Sequence, residues 1–135
     1  MKSFFKYHFP FIAWLLIIFI QSSFTAIELP KVELISADKI VHMGVYGLLT
    51  FLCYISLIHL SKPNFPGRSP FLWSSLICMF YGASDEIHQY FVPNRSCELQ
   101  DWIADAFGVI IAVAIIKYIF EKRYLLFRRE LINGS

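Results

Sequence analysis

The chain has 135 residues, of which 57% are hydrophobic, 18% aromatic and only 16% charged, and its mean hydropathy is +0.57. A water-soluble domain carries about 25% charge, so this chain has too few polar residues to coat a soluble surface, and a single small bundle embedded in lipid is expected. A net charge of +2 gives no reason to expect a nucleic-acid partner, and the three cysteines, Cys53, Cys78 and Cys97, show neither CxxC nor Cys/His ligand spacing.

The first predicted span covers residues 9–27, starting at Pro10, where a helix tolerates proline. Lys2 and Lys6 precede it as in a signal peptide, but Phe24 spoils the obvious small-x-small cleavage site, so an uncleaved anchor is expected. The second span covers about 39–60 and stops at SKPNFPGRSP, whose three prolines and one glycine cannot continue a helix. The third runs over about 70–91 and is closed by VPNR; the fourth runs over about 99–120, leaving a basic tail at 121–135. The predicted fold is all-α and integral to the membrane: one domain over 1–135, an antiparallel bundle of four transmembrane helices with no barrel-like alternation. Cys53 and Cys78 fall inside apolar runs and read as small buried residues.

The basic residues set the orientation. Lys2, Lys6, Lys62, Arg68, Lys117, Lys122, Arg123, Arg128 and Arg129 share the side of the termini and the middle loop, against Lys31, Lys39 and Arg95 on the other. Both termini are therefore expected in the cytoplasm. The acids sort oppositely: only Glu121 and Glu130 lie inside, whereas Glu28, Glu33, Asp38, Asp85, Glu86, Glu98, Asp101 and Asp105 lie at or near the outer face. Acidic residues do not set topology, so this second asymmetry asks for another explanation.

In that topology three polar groups reach the outer end together. Asp38, His42 and Tyr46 sit at i, i+4 and i+8; Asp85 and Gln89 at i and i+4; Asp101 and Asp105 likewise. Each set forms one helical stripe. An ionised side chain at a helix centre costs about 2.5–3.5 kcal/mol on insertion scales, so such groups should face inward and pair. Asp85 with Gln89, near Arg95 and Asp105, forms the expected inward set of an outward-opening polar cavity built from spans two, three and four.

Simpler roles compete at several positions. Lys39 at a boundary snorkels to headgroups, Asp38 and Asp101 suit helix N-termini, and Glu28, Glu33 and Glu98 suit solvated loops. His59, Trp73, Tyr118 and Tyr124 read as headgroup contacts. Asp85 and Glu86 resist such accounts as a pair, because consecutive helical residues point to different faces and at least one must turn toward other helices; Glu86 is the one that could face headgroups.

The stretches DKIVHMGVYGLLTF at 38–51 and SDEIHQYFVPNRSCELQDWIADAFGVIIA at 84–112 resemble the VanZ-like membrane proteins, named for a teicoplanin-resistance determinant. The similar pattern is K-x-x-H-x-x-x-Y, then D-E-x-x-Q, a proline-containing turn with R, and D-x-x-x-N-x-x-G, and it extends over most of 14–116. The resemblance implies functional weight on Lys39, His42, Tyr46, Asp85, Glu86, Gln89, Arg95, Asp101 and Gly108. Asp105 departs from it, standing where the family usually has asparagine. The resemblance also implies cell-envelope physiology in a bacterial cytoplasmic membrane and, in the founding case, lowered sensitivity to a glycopeptide that binds peptidoglycan precursors.

Three mechanisms remain open on the sequence. In the first, the protein binds, relocates or processes a phospholipid or lipid-linked envelope component. Arg95 and Lys39 would hold a phosphate, with Tyr46, Asp101 and Asp105 also on the binding side. Asp85 or Glu86, with His42 or His88, would form an acid/base pair beside Gln89. In the second, Asp85, Asp101 and Asp105 hold a divalent cation that polarises a phosphoryl group. In the third, the polar rim only keeps the helices in register. Ser84 and Cys97 lack the setting of a nucleophile.

Overall fold

The computed structural model describes residues 2–24, 35–60, 69–95 and 97–133, with side chains described over 2–24, 38–60, 69–95, 97–120 and at 122. The described residues form helices without any strand: α1 (Lys2–Tyr7), α2 (Phe9–Ser22), α3 (Ile35–Ile58), α4 (Pro70–Tyr90) and α5 (Leu99–Asn133). The end of the first predicted span at 25–27, Glu28, Lys31, Glu33, the loop at 61–68 and Ser96 lie outside the described residues.

The helix boundaries follow local chemistry. Pro10 and Pro70 occupy first-turn positions of α2 and α4, where the missing N–H would have no intrahelical partner anyway. Asp38 and Asp101 lie in the first turns of α3 and α5, where a carboxylate meets the positive end of the helix dipole. After α4 the chain turns at Asn94, whose φ of 60° is left-handed, a conformation asparagine tolerates well. The segment read as a basic tail continues α5 without a break to Asn133.

Two helices are long and apolar enough to cross a bilayer: Asp38–Ile58 within α3 and Leu99–Phe120 within α5. At 22 residues the latter reaches about 33 Å. The first predicted span appears as a shorter apolar helix of 14 residues. Although 21 residues long, α4 carries Asp85, Glu86, His88 and Gln89 in its last turns. Around the apolar core, burial departs from that of a water-soluble protein. Phe80 is 73% exposed, and Leu72, Ile87, Phe107, Ile110 and Ile115 are exposed too, while Asp85, Glu86, Gln89, Asp101 and Asp105 are buried. Polar groups inside and apolar groups outside is the arrangement that lipid, not water, rewards.

Contacts fix the helix directions. The start of α5 lies beside the start of α3, since Asp105 meets His42, and Phe120 meets Tyr54 further along; these two helices run parallel. The Trp102 indole donates to the Met79 carbonyl and the Trp14 indole to Val45, each at 3.1 Å; with Glu98 on Glu86 and His8 on Ser56, the contacts run in opposite chain order, so α4–α5 and α2–α3 are antiparallel. The Tyr81 hydroxyl donates to Leu15 at 2.7 Å. Ile18, Tyr46, Leu49, Cys53, Leu57, Cys78 and Val109 form the core, with Trp73 packed against it. His59 is not simply a headgroup contact: its ring stacks on Tyr7, centroids 3.6 Å apart.

One close crossing sets the geometry of the polar end. A Cβ at Gly108 would stand 2.2 Å from the Met43 carbonyl oxygen, and one at Gly47 would stand 3.4 Å from the Gly108 oxygen. Only glycine at 108 lets α3 and α5 approach so closely, the small-residue packing common between membrane helices.

Candidate functional site

The close α3–α5 crossing puts the first turns of both helices side by side, and α4 brings its last turns to the same end. Lys39 contacts Asp101 directly, with Glu98 Oε2 at 3.5 Å and Asp38 Oδ2 at 3.6 Å. The expected snorkelling lysine is therefore an ion-pair partner across α3 and α5. One turn deeper, His42 Nδ1 lies 2.9 Å from Asp105 Oδ1, and His42 Nε2 faces Asp101 Oδ2 at 4.0 Å.

The two consecutive acids of α4 diverge, as helical geometry requires. Asp85 Oδ2 accepts the Ser22 hydroxyl at 2.9 Å and the Gln89 amide at 3.0 Å. Glu86 Oε2 accepts the Glu98 backbone N–H at 2.9 Å, tying α4 to the entry of α5. Glu86 is only 4% exposed, so a headgroup-facing role does not describe it.

Between α2, α3 and α4 lies a cavity of about 40 Å³, enough for about three water molecules. His42, Tyr46, Asp85, Gln89 and Arg95 line it, joined by Gln21 and Ser22 of α2 and by the apolar Ile18, Val41 and Val45. Among the described residues, four buried side-chain atoms at this end have no hydrogen-bond partner: Tyr46 Oη, Glu86 Oε1, Arg95 Nη1 and Asp105 Oδ2. Buried polar atoms are normally paired, so each such atom calls for a water, an ion or a ligand.

The expected site residues thus divide into three neighbouring groups. His42, Tyr46, Asp85, Gln89 and Arg95 share the cavity. Lys39 and Asp101 form a lateral pair outside its lining. Glu86 and Asp105 approach His42 from the α4–α5 side. The anticipated carboxylate trio Asp85, Asp101 and Asp105 is not among the sets that come within ligand distance in the described residues; those are Asp38, His42 and Asp101, and His42, Glu86 and Asp105. His88 turns to α2, 3.0 Å from Ser23 Oγ and stacked on Phe19, so it is not a partner of the chamber acids. Sequence reading missed the wall supplied by α2. Its signal was the QSS triplet closing an otherwise apolar helix.

A family model described as VanZ/LLP1 matches residues 4–121. This chain belongs to the VanZ/LLP1 family. No curated protein and no solved structure gives a match. The VanZ/LLP1 match takes in the whole polar end, from Gln21 to Gly108, and family and apolar helices together mark a membrane protein. Gly108, given weight by resemblance, has a mechanical role in this VanZ/LLP1 chain: its missing side chain permits the crossing that sets His42 beside Asp105.

Proposed function

We propose that this VanZ/LLP1 protein crosses the cytoplasmic membrane of a bacterium four times, with both termini in the cytoplasm. Its outward-facing chamber binds or processes a lipid or lipid-linked envelope component, and by doing so lowers sensitivity to teicoplanin. The observation that carries this reading is the cavity wall itself, where the buried Arg95 Nη1 and Tyr46 hydroxyl have no partner among the described residues. A guanidinium offers a planar fork matched to phosphate oxygens. The Tyr46 hydroxyl of the same lining is a second donor for such an anion. A volume of about 40 Å³ admits the polar tip of a headgroup and leaves the acyl chains against the apolar exterior. Asp85, Glu86, His42 and Gln89 are the acid/base candidates; Lys39, Asp101 and Asp105 hold the surrounding charge.

The nine-to-three distribution of basic residues supports the orientation. The test compares a glycopeptide-sensitive host carrying the native chain, Asp85→Asn or Arg95→Gln at matched membrane levels, with lipid extracts analysed in parallel. Lowered teicoplanin sensitivity or an altered lipid species from the native chain, lost in both variants, supports the reading. Three strains indistinguishable from empty vector would overturn it.

A structural reading has its own observation. Ser22–Asp85, Lys39–Asp101 and His42–Asp105 are bonded across helices, as a rim holding helices in register requires. Under that reading Asp85→Asn fails to accumulate in the membrane, whereas under the binding reading it accumulates normally and loses function.

A further inference from the structure

His42, Glu86 and Asp105 each offer one ligand atom, and these atoms all lie within 4.8 Å of one another. His42 Nδ1 and Asp105 Oδ1 are hydrogen-bonded at 2.9 Å; two ligands of a tetrahedral metal at about 2.0–2.1 Å lie about 3.3 Å apart, so the pair has to open by only a few tenths of an ångström to admit an ion. Glu86 and Asp105 are 4% and 1% exposed, and each keeps one oxygen, Oε1 and Oδ2, without a partner. Asp105 Oδ2 would lie 3.3 Å from a Cβ on Gly82, and Gly82 and Glu86, four residues apart, share one face of α4. Charge points the same way. Glu86 and Asp105 bring two buried carboxyl groups to this space, while Lys39 is committed to Asp101 and Arg95 lines the neighbouring cavity with Asp85. Uncompensated carboxylates are costly inside a protein, and a bound cation relieves that cost.

We propose that His42, Glu86 and Asp105 bind one divalent cation of the borderline transition class, zinc in the first instance. Imidazole with two carboxylates suits zinc better than magnesium or calcium, which take oxygen-rich shells. The ion takes the place of the proton shared by His42 Nδ1 and Asp105 Oδ1. His42 Nε2–H then turns toward Asp101, which Lys39 holds in place, the outer carboxylate that commonly orients a metal-bound histidine. The second set, Asp38, His42 and Asp101, is the weaker candidate because Asp38 is exposed and Asp101 is already neutralised by Lys39.

This site deepens the outward-chamber reading but is tested without any lipid. The purified full chain in detergent is equilibrated with Zn²⁺, desalted and analysed for bound metal, and Co²⁺ substitution is followed by its visible spectrum. One zinc per chain is expected, with affinity at least tenfold weaker in Glu86→Gln and in Asp105→Asn and unchanged in Asp38→Asn. Circular dichroism and monodispersity confirm that each variant is folded. Should a variant not fold, a rise of the native chain's melting temperature with zinc concentration supplies the readout. Absence of stoichiometric zinc on the native chain overturns the site, as does loss in Asp38→Asn with retention in the other two. Teicoplanin sensitivity lowered by a chain that binds no zinc would refute the metal while leaving the lipid reading standing.

Discussion

Replacing Gly108 by alanine adds one methyl group at the tightest point of the helix packing. Its Cβ would sit 2.2 Å from the Met43 carbonyl oxygen, whereas carbon and carbonyl oxygen rest in contact at about 3.3 Å. The neighbour is backbone, which has no rotamer to yield, so α3 and α5 must part by about 1 Å. Met43 follows His42 directly, and Gly108 is three residues from Asp105, so the same displacement stretches the 2.9 Å His42–Asp105 contact toward 4 Å. Overpacking of this kind costs about 1–3 kcal/mol, and losing a charge-assisted contact adds to it. Gly44→Ala is the matched control, because a Cβ there meets nothing within 4 Å. It should be neutral or gain up to about 1 kcal/mol from reduced backbone entropy. Unfolding of the purified chain in a fixed detergent should therefore separate the two variants by at least about 2 kcal/mol. If both lie within about 0.5 kcal/mol of the native chain, the close crossing is not what holds the two helices together.

Lys39→Met should cost about 1–3 kcal/mol by stranding Asp101, less than a fully buried pair because the lysine side chain keeps 22% exposure. Adding Asp101→Leu should recover at least about 1 kcal/mol of that loss; additive costs in the double-mutant cycle would show that the two are not coupled. Tyr46→Phe removes a buried hydroxyl without a partner, so unfolding measurements should find stability within about 1 kcal/mol of native or higher, while the drug-sensitivity phenotype is lost if the hydroxyl touches ligand. Of the three cysteines, Cys97 is exposed and Cys53 and Cys78 are buried. A membrane-impermeant maleimide added outside intact cells should label Cys97 alone, and labelling only after lysis would invert the proposed topology.

Much of the fold was legible before any packing was known. The membrane class follows from composition, because a chain with this much apolar surface and so little charge finds its lowest free energy in lipid. The helices α3, α4 and α5 were legible from apolar runs bounded by proline and glycine, and the stripes Asp38/His42/Tyr46, Asp85/Gln89 and Asp101/Asp105 from the helical period alone. The VanZ/LLP1 family was legible from the spacing of those same residues.

Which stripe meets which was decided only by tertiary structure. Helical periodicity fixes the face a side chain occupies on its own helix, but not the rotation or depth at which a neighbour packs. The parallel approach of α3 and α5 at Gly108 gave Asp101 to Lys39 and Asp105 to His42, while the α2–α4 contact gave Asp85 to Ser22. Glu86, readable as a headgroup-facing acid, is turned inside by the packing of α4, where it accepts the backbone N–H of Glu98. The long-range partners of these charges depend on a steric contact between two backbones, and no local pattern in the sequence encodes that distance.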